Sequence, residues 1–133
     1  MSNPSPHWDI FCGVIDNFGD IGVTWRLSRQ LASEYGIPIR LWVDDLHAFH
    51  QIRPEVDCAA SIQHLQDVEI RRWTTPFPKI EPGDVVIEAL ACNLPDSFIQ
   101  AMATRSPKPV WLNLEYLSAE KWEIGRASCR ERV

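Results

Sequence analysis

What most constrains the fold of this chain is the alternation of short, nearly continuous apolar runs with stretches of helical periodicity. Residues 8–15 carry Ile10, Phe11, Val14 and Ile15 and read as a buried strand. A turn-rich stretch with two glycines and two aspartates follows over 16–22. Val23, Leu27, Leu31 and Ala32 then recur at helical spacing, with Arg26, Arg29 and Gln30 facing outward, and Gly36 and Pro38 close the helix. Residues 39–43 form a second strand halted by Asp44-Asp45, and Leu46, Phe49 and Ile52 mark a short amphipathic turn or helix before Pro54.

Residues 55–66 show no clear pattern. Residues 68–73 alternate as a third strand, 75–78 and 82–84 are loops, and 85–90 form a fourth strand with its exit at Cys92-Asn93-Leu94-Pro95. Residues 95–105 read as a helix with Phe98, Ile99 and Met102 on one face and Pro95 near its first turn. Residues 110–114 make a fifth strand, and Ser118 is placed to cap a helix beginning at Ala119. Continuous apolar strands alternating with helices predict an α/β fold, a Rossmann-like parallel sheet covered on both faces.

In such a sheet function collects at the carboxyl ends of the strands. Four of those ends are polar here: 16–22, Asp44-Asp45, 88–93 and 113–116. The stretch Asp16-Asn17-Phe18-Gly19-Asp20-Ile21-Gly22 is not the dinucleotide fingerprint, which needs three spaced glycines, and a carboxylate at Asp20 would repel a pyrophosphate. Its glycines allow close approach of a partner backbone, and its aspartates can bind a cation or accept a proton. Equally, one aspartate can form the turn and the other cap the helix. For Asp44-Asp45 a cap with a solvated neighbour is the favoured reading. Glu88 draws attention because carboxylates are rarely buried without a partner, and Asn113 and Glu115 raise the same question beside the amphipathic Tyr116.

The remaining composition excludes several classes. Net charge is −5 and the basic residues are scattered, so no nucleic-acid footprint forms. The apolar runs are too short to span a bilayer, and residues 1–6 lack a signal peptide's basic flank and apolar stretch, so a cytoplasmic protein without a membrane partner is expected. Cys12, Cys58, Cys92 and Cys129 lack zinc or disulfide-framework spacing, and His7, His47, His50 and His64 include no i, i+4 pair. No metal site is expected, the histidines are assigned to surface or loops, and Trp42, Trp73 and Trp111 to the core.

The blocks 8–12, 14–23 and 25–27, then Leu41-Trp42-Val43-Asp44-Asp45-Leu46, Val86-Ile87-Glu88-Ala89 with Ala91-Cys92 and Leu94-Pro95, and finally 111–120, resemble the elongation factor P arginine rhamnosyltransferases, in the family's order and over most of 8–122. The resemblance implies a partial N-terminal domain of a GT-B glycosyltransferase, an enzyme that transfers rhamnose from dTDP-rhamnose to an arginine of elongation factor P with inversion. It implies catalytic roles for Asp20, as general base or guanidinium-orienting group, and for Asp16 in support. Asn17, Phe18, Gly19, Glu88, Asn113, Glu115 and Tyr116 are then expected to bind the acceptor. No cofactor is implied. The nucleotide-sugar donor would be held mainly by a C-terminal domain outside this chain, which alone would be inactive. A stand-alone module binding a basic protein partner, or another GT-B sugar transferase, are the alternatives.

The last eleven residues, 123–133, resemble a translated sequencing-adapter read. They are expected to be non-native and lie outside the fold reasoning, leaving 1–122 as an incomplete acceptor-binding domain.

Overall fold

A computed structural model describes residues 6–14, 21–89 and 93–114, together with the backbone of Ser128–Arg130. Its elements are β1 (Trp8–Cys12), α1 (Ile21–Tyr35), β2 (Ile39–Val43), α2 (Leu46–Ile52), β3 (Ile62–Leu65), β4 (Val68–Arg72), β5 (Val85–Ala89), α3 (Asp96–Thr104), β6 (Val110–Leu114) and β7 (Ser128–Arg130). They build one seven-stranded sheet in the order β3-β4-β2-β1-β5-β6-β7. The five inner strands run parallel, and β3 and β7 pair antiparallel at the two edges. The inner order, with the first strand at the centre, is that of a Rossmann-like sheet.

Side chains alternate across the sheet because the strand period is two. Ile10, Cys12, Ile39, Leu41, Val43, Val68, Ile70 and Ile87 point to one face, where Ile21 and Trp25 of α1 and Leu46 and Phe49 of α2 cover them. Phe11, Trp42, Val86 and Trp111 point to the other, under Phe98 and Met102 of α3. On that second face the rings of Phe11 and Trp42 stack with centroids 5.6 Å apart, and Phe98 meets Phe11 edge-on at 4.9 Å.

The second face also buries a charge. Asp9 is wholly inaccessible in the middle of the sheet. Its carboxylate accepts from Arg40 Nη2 at 3.0 Å, Trp42 Nε1 at 2.9 Å and the Gly83 amide at 2.7 Å, and His7 Nε2 lies 3.2 Å away. Gly83 must be glycine: a Cβ there would stand 2.2 Å from the His7 carbonyl oxygen. Burial alone would raise the Asp9 carboxyl, but the hydrogen bonds from His7 and Arg40 and the nearby Arg40 charge outweigh it, and its pKa lies below the usual carboxylate value.

Several expectations are corrected. α1 does not bury Val23, which is 40% exposed; Ile21, Thr24, Trp25 and Ser28 face the sheet, with Leu31 and Ala32 beside them. The large Trp25 ring sets that face by packing on Phe49, centroids 5.2 Å apart. β1 ends at Cys12, short of 15, and Ile52 of α2 is 45% exposed. The stretch 55–66, unread in the sequence, contains β3, which returns antiparallel onto β4. Separately, Ser128–Arg130 lies antiparallel against β6. The helix expected from Ala119 falls outside the described residues.

Removing the Asp9 carboxylate strands the Arg40 guanidinium in the sheet. Asp9→Ala is expected to lose about 3–5 kcal/mol in urea unfolding. Because the folded pKa is depressed, this stabilisation is full above the unfolded pKa of about 4 and is lost as pH falls through the folded one. The parent chain therefore loses stability on acidification below about pH 4, and Asp9→Asn shows a flatter profile there.

Candidate functional site

In a doubly wound sheet the crevice opens where successive connections leave to opposite faces. β1 continues through α1, on the face of Ile10 and Leu41, whereas β5 continues through α3, on the face of Phe11 and Trp42. β1 and β5 are direct neighbours, so the switch point lies between their carboxyl ends, Cys12 and Ala89. Val43 flanks Cys12 in register and Leu114 flanks Ala89.

Two of the expected acceptor-binding residues are placed here together. Glu88 and Asn113 are paired in register, one residue back from the strand ends, and each is 5% exposed. Trp111 Nε1 donates to Glu88 Oε1 at 3.0 Å. The Asn113 Oδ1 is buried and has no hydrogen-bond partner among the described residues. A buried carboxyl and a buried amide oxygen, side by side, form an acceptor pair suited to N–H or O–H donors. Asp16, Asn17, Phe18, Gly19, Asp20, Glu115 and Tyr116 lie outside the described residues. Chain order alone sets 15–20 between Val14, past β1, and Ile21, where α1 begins, and sets 115–116 directly after β6.

The Asp44-Asp45 pair divides differently from expectation. Asp45 caps α2, accepting from the His47 and Ala48 amides at 3.1 and 3.2 Å. Asp44 is no solvated neighbour: it is half-buried, and its Oδ1 accepts from the Val14 amide at 2.7 Å. The tie joins the exit of β2 to the exit of β1. His47, His50 and His64 are exposed, as expected, but His7 is half-buried beside Asp9. Among the described residues no group of three or more His, Cys, Asp or Glu could hold a metal ion, and no helix is long and apolar enough to cross a membrane. Cavities of about 490 Å³ between α3 and Phe77–Ile80, and about 370 Å³ at the amino edge beside His7 and Arg40, are lined by neither Glu88 nor Asn113.

Asp9 and Arg40 were not singled out in the sequence, and Asp44 was read there only as part of a cap with a solvated neighbour. The signal existed for the first two: a charge inside an otherwise apolar strand requires a partner, the same logic that drew attention to Glu88.

Residues 8–128 match the sequence profile of the elongation-factor P (EF-P) rhamnosyltransferase EarP. The chain belongs to this family. EarP-family relatives named protein-arginine rhamnosyltransferase include one from Pseudomonas aeruginosa, 57% identical over 115 residues that cover 86% of this chain and 31% of the relative. Another, from Pseudomonas putida, is 54% identical over 118 residues, 89% of this chain and 31% of its own length. A third, from Shewanella oneidensis, is 53% identical over 131 residues, 93% of this chain and 33% of the relative. The chain thus spans about a third of the length of these curated EarP relatives. The family expected from the sequence blocks is the family found, and the profile match runs past Trp122 into the stretch read as non-native.

Trp111→Phe keeps the ring packing but withdraws a hydrogen bond from the buried Glu88 carboxyl. The expected cost is about 1–3 kcal/mol of stability, read by denaturant unfolding, with the far-UV circular dichroism spectrum preserved.

Proposed function

We propose that this chain is the acceptor-binding, N-terminal part of a GT-B protein-arginine rhamnosyltransferase, acting on an arginine of elongation factor P with dTDP-rhamnose as donor and inversion at the anomeric carbon. The observation that carries the reading is the family match across residues 8–128, which covers the strands around the switch point. The relatives' common name supplies the arginine acceptor and the sugar.

The chemistry asked of such a site is specific. A guanidinium is charged at all working pH values and a poor nucleophile, so a carboxylate must hold it in plane and take its proton as the glycosidic bond forms. Asp20 is assigned that role and Asp16 the support of it. Asn17, Phe18 and Gly19 line the approach, Glu115 and Tyr116 meet the arginine and its loop, and the buried Glu88 and Asn113 supply acceptors behind them. Glu88 and Asn113 support this by presenting adjacent acceptors near the carboxyl edge. The nucleotide sugar is held mainly by residues beyond this chain, which by itself is inactive. The setting is cytoplasmic, and no resident cofactor takes part.

The test uses the full-length enzyme, dTDP-rhamnose and elongation factor P, with mass spectrometric mapping of the product. One deoxyhexose on one arginine is expected, and Asp20→Ala should lower turnover at least about 100-fold, the lower range for losing a general base. Sugar found on a hydroxyl side chain, or full turnover by Asp20→Ala, contradicts the reading.

A further inference from the structure

The Asn113 side chain is out of place in a core. It is 5% exposed, and its Oδ1 is buried without a hydrogen-bond partner among the described residues. The indole donors on the same face of the sheet are already used. Trp111 Nε1, two residues back on β6, donates to Glu88 Oε1 at 3.0 Å, and Trp42 Nε1 on β2 donates to Asp9 at 2.9 Å. A buried acceptor left unmet is a standing cost to the fold, which a leucine of similar volume would not carry. Its place gives the cost a reason. Asn113 is the register partner of Glu88, and Glu88 of Phe11, so the unmet oxygen lies in the row of side chains beside the switch point.

We propose that Asn113 is a specificity-determining residue for the acceptor, its Oδ1 taking a hydrogen bond from an N–H of the arginine guanidinium. The inference rests on the arginine reading above and narrows it to one atom. A guanidinium carries five N–H donors in one plane, so one can meet this oxygen while others remain for further contacts. A side chain with no N–H leaves Oδ1 buried and unmet after docking, and that penalty rejects it more strongly than a poor fit would. The amide therefore trades stability of the free enzyme for discrimination in the complex.

The test is a double-mutant cycle in the full-length enzyme. It reads the Kd of elongation factor P carrying either its acceptor arginine or methionine in that position. Asn113→Leu removes the oxygen at similar volume, and the preference for the arginine form should shrink at least about tenfold, the size of a hydrogen bond to a charged group. Its Tm should equal or exceed the parent's, because no bond inside the fold is lost. Asn113→Asp keeps an oxygen at the position and should hold the preference within about threefold of the parent's. Should the leucine variant not fold, Asn113→Ala takes its place in the cycle. An arginine preference unchanged without the amide, or a lowered Tm with that preference intact, overturns the proposal. Asp20→Ala and product mapping alongside separate the two readings. Rhamnose on arginine, lost in Asp20→Ala, with an unchanged preference in Asn113→Leu sinks the Asn113 role alone. A parent enzyme with no preference for the arginine form sinks both.

Discussion

The Asp9 carboxylate sits fully buried in β1, the strand between both halves of the sheet. An ionised group cannot remain in an apolar interior unless its lone pairs are met, and here the donors come from three different segments: Arg40 and Trp42 on β2, Gly83 ahead of β5, and His7 ahead of β1. A slip of one residue in either parallel pairing would turn Asp9 or its partners to the wrong face and leave the charge unmet. The network therefore fixes the register of β2, β1 and β5, and with it the relative height of the carboxyl ends where the switch point opens. Arg105 extends it by donating to the Gly83 carbonyl, which ties the end of α3 to the same loop.

The two edges of the sheet consequently differ in kind. At the amino edge the polar groups are paired with one another and with backbone, as Asp9, Arg40, His7 and Asp84 show. At the carboxyl edge, Asn113 Oδ1 meets no described partner, and Asp44 takes its hydrogen bond from the backbone of a connection. Paired charges are concentrated at one end and the candidate acceptor groups lie at the other, an arrangement that a parallel sheet allows because all its loops of one sense emerge together.

Much of this was legible in the sequence. β2 and β6 match their expected bounds, β4 and β5 nearly so, and the closure of α1 at Gly36 is met by its φ of +64°. The failures have physical causes. β3 escaped because it is a half-exposed edge strand with no continuous apolar run, and its turn onto β4 uses Gln66 and Asp67 at φ of 50° and 67° where a glycine would have signalled the reversal. The buried face of α1 was misjudged because Thr24 and Ser28 are polar; Ser28 Oγ satisfies itself on the Thr24 carbonyl at 2.9 Å, which hides it from a reading based on hydrophobic spacing. Glu88 stood out in the sequence as a charge in an apolar strand and is buried in the structure, while the hydrogen bond of Asp44 to the Val14 amide spans thirty residues of sequence, beyond the reach of any local pattern.

The central claim is that the carboxyl edge of this sheet receives an arginine-bearing protein. Hydrogen–deuterium exchange of the full-length enzyme, with and without elongation factor P, tests it most directly. The account predicts protection in the peptides that leave β1, β5 and β6, around Val14, Ala89 and Leu114, with no change at the amino edge around Pro38 and Glu81. Protection confined to the amino edge or to the outer strand β3, with the carboxyl-end peptides unchanged, would contradict it.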